Sequence, residues 1–194
     1  MFQRVFDLCI AWLGLIVLGP FFVVVAVLIK IDSPGSVFYR GQRVGRHGQP
    51  FSILKFRTMA HNAAQLGPGI TTSGDSRITR VGRWLRRTKI DELPQLWNVL
   101  RGEMGLVGPR PEDPRYVALY TQEQRRILRV RPGMTSPASI RFRHEEAMLA
   151  MGDMDTYIKQ LMPAKLKVDL EYIDRRTFWS DLSVLARTAL ALFH

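Results

Sequence analysis

Two adjacent acids, Asp91-Glu92, stand at the end of the most basic stretch of the chain. Between Arg40 and Lys89 there are eleven Lys and Arg residues against one acid, Asp75, which places nearly all of the formal net charge of +11 in that stretch. The pair continues into Leu93-Pro94-Gln95, and Gly108-Pro109-Arg110-Pro111 follows. Cations gathered around one carboxylate pair suit phosphate-rich anions, with an acid serving as metal ligand, base or nucleophile.

Asp91 stands at or just before the start of a helix predicted over residues 93–100, with Pro94 in its first turn and Gly102 just past its end. A carboxylate at that place can accept free backbone N–H groups, so N-capping is the structural alternative to chemistry. Lys55 and Arg57 close a predicted strand, and Arg86 and Arg87 lie just upstream of the pair. Each could be a solvated surface cation or a phosphate ligand. Arg110 is the strongest candidate: a Pro-Arg-Pro backbone loses little entropy on binding, and a guanidinium offers two parallel donors to phosphate oxygens.

The elements that must position these side chains begin with residues 8–29, which carry no charge. As a straight helix they reach roughly 33 Å, about the thickness of a bilayer's hydrocarbon core. Gly19-Pro20 interrupts the run near its middle. It reads either as a spanning helix kinked at Pro20 or as a re-entrant helix–break–helix that returns to the leaflet it entered. Arg4 and Lys30 flank the run almost evenly, so charge does not choose between these paths. The long apolar stretch with no small-residue cleavage site argues against a cleaved signal peptide.

Beyond the turn Asp32-Ser33-Pro34-Gly35, residues 37–40 and 51–56 read as two short strands of an irregular, glycine-punctuated hairpin. Residues 67–74 form a linker. Residues 80–88 form a short basic helix around Val81, Trp84 and Leu85, suited either to a membrane–water interface or to a solvated face. Amphipathic helices are predicted over 112–130 and 155–173, and the tail 182–193 is strongly apolar. The lone Cys9 excludes an intramolecular disulfide and a cysteine-based zinc site, and the four histidines lack metal-ligand spacing.

These motifs, in this order, resemble a known family: an apolar N-terminus, Asp32-Ser33-Pro34-Gly35, Lys55-Phe56-Arg57-Thr58-Met59, Asp91-Glu92-Leu93-Pro94-Gln95 and Gly108-Pro109-Arg110-Pro111-Glu112. They look like the bacterial monotopic phosphoglycosyl transferases, the bacterial sugar transferase family, in the minimal form without additional N-terminal membrane helices. The resemblance implies transfer of a sugar-1-phosphate from a UDP-sugar to a polyprenyl phosphate such as undecaprenyl phosphate. The products would be a polyprenyl diphosphate sugar and UMP, the first membrane step of bacterial glycoconjugate assembly. By position, Asp91 would be the covalent nucleophile and Glu92 its assistant, both as ligands of Mg²⁺. Lys55, Arg57, Arg86 and Arg110 would bind the phosphates.

The implied architecture is a mostly helical α+β protein with a short β-hairpin. Residues 1–30 would form a monotopic, re-entrant helix broken at Gly19-Pro20. Residues 31–194 would form a catalytic domain on the cytoplasmic face of the bacterial inner membrane, in contact with its lipid. In the family the proline of the break is often preceded by serine, where this chain has Gly19, and the segment 134–146 departs from the commonest family pattern. A membrane-tethered nucleic-acid-binding protein is the competing reading. It is opposed by the lack of a recognised motif and by Trp84 being the only Trp or Tyr between Arg40 and Lys89. A non-catalytic scaffold is opposed by the intact acid pair.

Overall fold

The computed structural model describes residues 2–60, 63, 75–143 and 154–192. The predicted linker 67–74 and residues 144–146 of the divergent segment lie outside these. Helix α1, Phe2–Asp32, is followed by β1, Phe38–Val44, and β2, Pro50–Phe56, then by helix α2, Arg80–Arg87. A 3₁₀ segment, Ile90–Gln95, leads into α3, Leu96–Leu100, and β3, Gly105–Val107. After α4, Pro114–Val117, come β4, Gly133–Thr135, and α5, Pro137–Arg141. A helical lead-in from Met154, with a π-helical turn at Tyr157–Leu161, runs into α6, Met162–Asp174; α7 is Phe178–Leu192.

The mostly helical architecture agrees with the sequence reading, and β1 and β2 pair antiparallel with Phe38 opposite Phe56 and Tyr39 opposite Lys55. Two predictions need correction. Helix is continuous through Gly19-Pro20, so α1 carries Pro20 inside 31 helical residues rather than dividing there. A Cβ at Gly19 would meet nothing within 4 Å, so packing does not require that glycine. The helix predicted over 112–130 is also broken. Asp113 caps only the short α4, and Thr121 then turns the chain by exchanging hydrogen bonds with Gln124 before a 3₁₀ segment, Gln124–Arg129.

The π turn absorbs Pro163, which sits in the first turn of α6 where a missing N–H costs little. The parallel pair β3–β4 has no sequence signature, being three residues on each side. It depends on close backbone approach: a Cβ at Gly133 would lie 2.1 Å from the Gly108 nitrogen. No side chain fits there.

One face of α1 is packed along its length, through Asp7, Ala11, Val25 and Ile29. Ala11 belongs to the core cluster of Phe51, Ile53, Leu96, Val99, Met104 and Val107, while Val25 and Ile29 belong to that of Phe56 and Leu85. Phe56 and Leu85 are fully enclosed, each burial contributing about 2 kcal/mol. The outer face exposes Trp12, Leu13, Ile16, Val17, Val23, Val24 and Val27. Both ends of α1 are also tied to the rest of the protein. Near its start, Arg4 donates to the Val99 and Met104 carbonyls and Gln3 to Asp181. At its other end Asp32 accepts the Val81 N–H.

Candidate active site

The site grows from three backbone elements. Strand β2 delivers Lys55 at its penultimate position. The reversal after α2 is made by Lys89, a non-glycine residue in the left-handed region at φ 57°, which starts the 3₁₀ segment carrying Asp91 and Glu92. Successive side chains of a 3₁₀ helix diverge by roughly 120°, so the two acids point to different surroundings. The third element is the loop after β3. Gly108 donates to the Thr135 carbonyl and Gly133 to the Pro109 carbonyl, which fixes Pro109-Arg110-Pro111 against β4.

Glu92 is the anion at the centre of a three-residue cluster. Its Oε1 accepts from Lys55 Nζ at 2.9 Å and from Arg110 Nη2 at 2.6 Å, while Oε2 accepts from Arg110 Nη1 at 3.1 Å. Burial alone would raise its pKa, but Arg110 and Lys55 hold it well below the usual glutamate range. Burial, with Arg110 beside it, draws the Lys55 pKa down against the pull of Glu92.

Asp91 is in the opposite condition. It is 8% exposed, and among the described residues its Oδ1 has no hydrogen-bond partner. Burial pushes its pKa up to about 6, with Glu92 acting in the same direction and Lys55, Lys89 and Arg86 opposing. It is not an N-cap, since Lys89 occupies that position of the 3₁₀ segment and no side chain caps it. A buried, unpartnered carboxylate oxygen costs stability, which makes it a candidate for chemistry.

The structure therefore brings together Lys55, Asp91, Glu92 and Arg110, with Arg86 close enough to act on Asp91 electrostatically. It does not bring Arg57 there. Arg57 is 7% exposed and donates to the Ser33 and Pro34 carbonyls at 2.8 and 2.5 Å and to Ser33 Oγ at 2.9 Å. Its guanidinium secures the carbonyl end of α1, where a cation also suits the helix dipole, rather than joining the cluster around Glu92.

The two acids expected to ligate a metal differ in how far their oxygens are already engaged. Both Glu92 oxygens are engaged by cations, whereas Asp91 Oδ1 is an open hard-oxygen donor that fits Mg²⁺. Among the described residues no cluster of three or more acidic, His or Cys side chains could hold an ion.

Sequence reasoning missed Asn98, which holds β2 against α3 by accepting the Leu54 N–H and donating to the Ser52 carbonyl at 2.9 and 2.8 Å. It also missed Asp169 on α6, buried beneath the Arg110 loop. An isolated Asn or Asp in a helix carries no local signal for partners such as Ser52 and Ala138, which lie 46 and 31 residues away.

The family model described as bacterial sugar transferase matches residues 1–194. The UDP-glucose:undecaprenyl-phosphate glucose-1-phosphate transferase of Caulobacter vibrioides is 40% identical, over 98% of this chain and 69% of that protein. The undecaprenyl-phosphate glucose phosphotransferase of Komagataeibacter xylinus is 39% identical, over 96% of this chain and 35% of its own length. The UDP-N-acetylgalactosamine-undecaprenyl-phosphate N-acetylgalactosaminephosphotransferase of Aeromonas hydrophila is 37% identical, over 96% and 42%. The chain thus spans between 35% and 69% of the length of these relatives. Matched along its whole length and carrying the acid pair within a cationic cluster, the chain belongs to the bacterial sugar transferase family.

Proposed function

We propose that this protein transfers a sugar-1-phosphate from a UDP-sugar to a polyprenyl phosphate, undecaprenyl phosphate by analogy with its relatives, through a covalent intermediate on Asp91. The observation that carries the reading is the buried Asp91 Oδ1 without a partner, beside cations already organised by Glu92. In the first half-reaction an Asp91 oxygen forms a bond to the β-phosphorus. The bond from that phosphorus to the bridging oxygen breaks, and UMP leaves with the electron pair. In the second, an oxygen of the polyprenyl phosphate attacks the same phosphorus and the bond to Asp91 breaks, restoring the carboxylate.

Burial leaves Asp91 poorly solvated and therefore nucleophilic, while a pKa of about 6 leaves it largely ionised at neutral pH. Glu92 keeps Lys55 and Arg110 fixed, so their remaining donors can face the phosphoryl oxygens without reorganisation. Mg²⁺, when held by Asp91 and the donor's diphosphate, would neutralise charge on that diphosphate. The relatives carry different sugars in their names, so the proposal stops at the UDP-sugar class.

The same reading keeps both ends of α1 on one side of the membrane, with its unbroken helix seated in one leaflet. Support comes from the attachment of both its ends to the same protein body, where a spanning helix would keep one end. Its exposed apolar face, and the exposure of all four tryptophans, Trp12, Trp84, Trp97 and Trp179, suit contact with lipid. UDP-sugars are made in the cytoplasm, which sets the catalytic domain on that face of the bacterial inner membrane.

Intact-protein mass spectrometry after exposure to UDP-sugars without acceptor tests the central step. The wild type should gain the mass of one phosphosugar and release one UMP, and Asp91→Asn should do neither. UMP release by Asp91→Asn at the wild-type rate would exclude the assignment.

A further inference from the structure

The turn after α1, made at Gly35 with φ 115°, returns the chain to the head of β1 and leaves a groove there. The groove holds about 460 Å³, within the range of small-molecule sites, and is lined by Ser36, Val37, Phe38, Tyr39, Arg40 and Arg57. Because Arg57 secures the Ser33 and Pro34 carbonyls, the groove sits at the junction between the apolar helix and the hairpin that carries Lys55.

Two kinds of surface meet in it. One is apolar: Phe38 stacks on the buried Phe56, with ring centroids 5.4 Å apart and planes at 19°, yet it remains 40% exposed. Leu28 and Ile31, on the last turns of α1, are exposed as well. The other surface is cationic. Arg40 is exposed and, among the described residues, makes no hydrogen bond or ion pair. An aromatic wall beside an uncommitted guanidinium matches an amphiphile whose apolar chain ends in a phosphate. A nucleotide would leave the wall unused, and a neutral lipid would leave Arg40 unused.

Strand register ties the groove to the acid pair. Tyr39 stands opposite Lys55, so their side chains share one face of the hairpin, and Lys55 Nζ holds Glu92 beside Asp91. The Tyr39 ring lies along the strand over Gly41, where a Cβ would come within 2.8 Å of its hydroxyl oxygen. A bulk phospholipid has no reason to approach that cluster. The acceptor's phosphate must reach the phosphorus on Asp91 while its chain stays in the bilayer.

We propose that this groove seats the polyprenyl phosphate acceptor: Phe38 and the end of α1 hold its first isoprene units, and Arg40 pairs with its phosphate on the way to the phosphosugar at Asp91. The proposal rests on the transfer reading and adds a site to it, with no further chemical step. Arg40 serves the second half-reaction alone, since the UDP-sugar arrives from water and needs no route through lipid.

The two half-reactions separate the proposal from the reading beneath it. With UDP-sugars alone, Arg40→Gln and Arg40→Glu should form the phosphosugar adduct at the wild-type rate. Discharge of the adduct by sub-saturating undecaprenyl phosphate should then be about 10-fold slower in Arg40→Gln, as for one lost charge-assisted hydrogen bond, and about 100-fold slower in Arg40→Glu. Wild-type discharge in both variants, or an equal slowing of adduct formation, would overturn the proposal. A wild type that formed no adduct would count instead against the transfer reading.

Photo-crosslinking tests the seat on the wild type itself. An undecaprenyl phosphate analogue with a diazirine in its first isoprene unit should label peptides covering 36–40. Unlabelled undecaprenyl phosphate should compete, and phosphatidylglycerol at the same concentration should not. Labelling confined to other segments, or equal competition by phosphatidylglycerol, would refute the acceptor seat even if both variants failed to fold.

Discussion

Arg110 grips Glu92 through both terminal guanidinium nitrogens, at 2.6 and 3.1 Å, and does not pair with the adjacent Asp91. The two acids of the motif are thereby divided. One is paired with two cations, while the other is left buried with an oxygen that has no hydrogen-bond partner among the described residues.

This division predicts that Arg110→Lys is severely impaired although charge is conserved. A lysine supplies a single ammonium where two donors now fix Glu92 and face the donor phosphates. The expected fall is about 100-fold in kcat for UMP release, comparable with removal of one preorganised donor. Wild-type kinetics in this variant would make Arg110 a structural residue.

Arg57→Gln should behave differently. It removes donors from the carbonyls of Ser33 and Pro34 at the end of α1, so it should destabilise the fold by about 1–3 kcal/mol. The fraction that remains folded should keep near-normal turnover. Thermal unfolding combined with UMP release per folded molecule checks this, and a pure loss of kcat at unchanged stability would restore Arg57 to the phosphate clamp.

Activity should fall on acidification through about pH 6. The Asp91 carboxyl, with its pKa raised by burial and by Glu92 against Lys55, Lys89 and Arg86, is ionised above that value and protonated below it. Only the ionised form attacks phosphorus, so the acid limb of kcat/KM for the donor should have its midpoint there. The stability effect has the opposite sense. A carboxyl raised above its unfolded pKa favours the fold while protonated, and that contribution is lost as pH rises from about 4 to 6. An acid limb near pH 4 would mean that substrate entry solvates Asp91 or that another group controls the rate.

Topology can be read with single cysteines. Phe2→Cys, at a position 71% exposed, and Arg46→Cys in the hairpin loop, each in a Cys9→Ser background, report the two ends of the reading. A membrane-impermeant thiol reagent added to intact cells should label neither, and both after permeabilisation. Labelling of residue 2 alone in intact cells would establish a spanning α1.

What the sequence determined on its own is everything whose cause is local. The apolar run of α1, the hairpin carrying Lys55, the short basic α2 and the Asp-Glu motif at a turn are visible because periodicity, proline and glycine act within a few residues. The broken helix at 114–129 escaped because Thr121 and Gln124 turn a segment whose apolar pattern alone reads as helix. Tertiary structure decided which cation does what. Lys55 and Arg57 are two residues apart in one motif, yet β2 ends between them at Phe56, and one side chain reaches Glu92 while the other reaches the end of α1. It likewise decided that Asp91 Oδ1 is left without a partner while Glu92 is paired. Such contacts join residues 18 to 37 positions apart in sequence, and an ion pair or buried carboxylate is defined by the partner that folding brings to it, which no local pattern records.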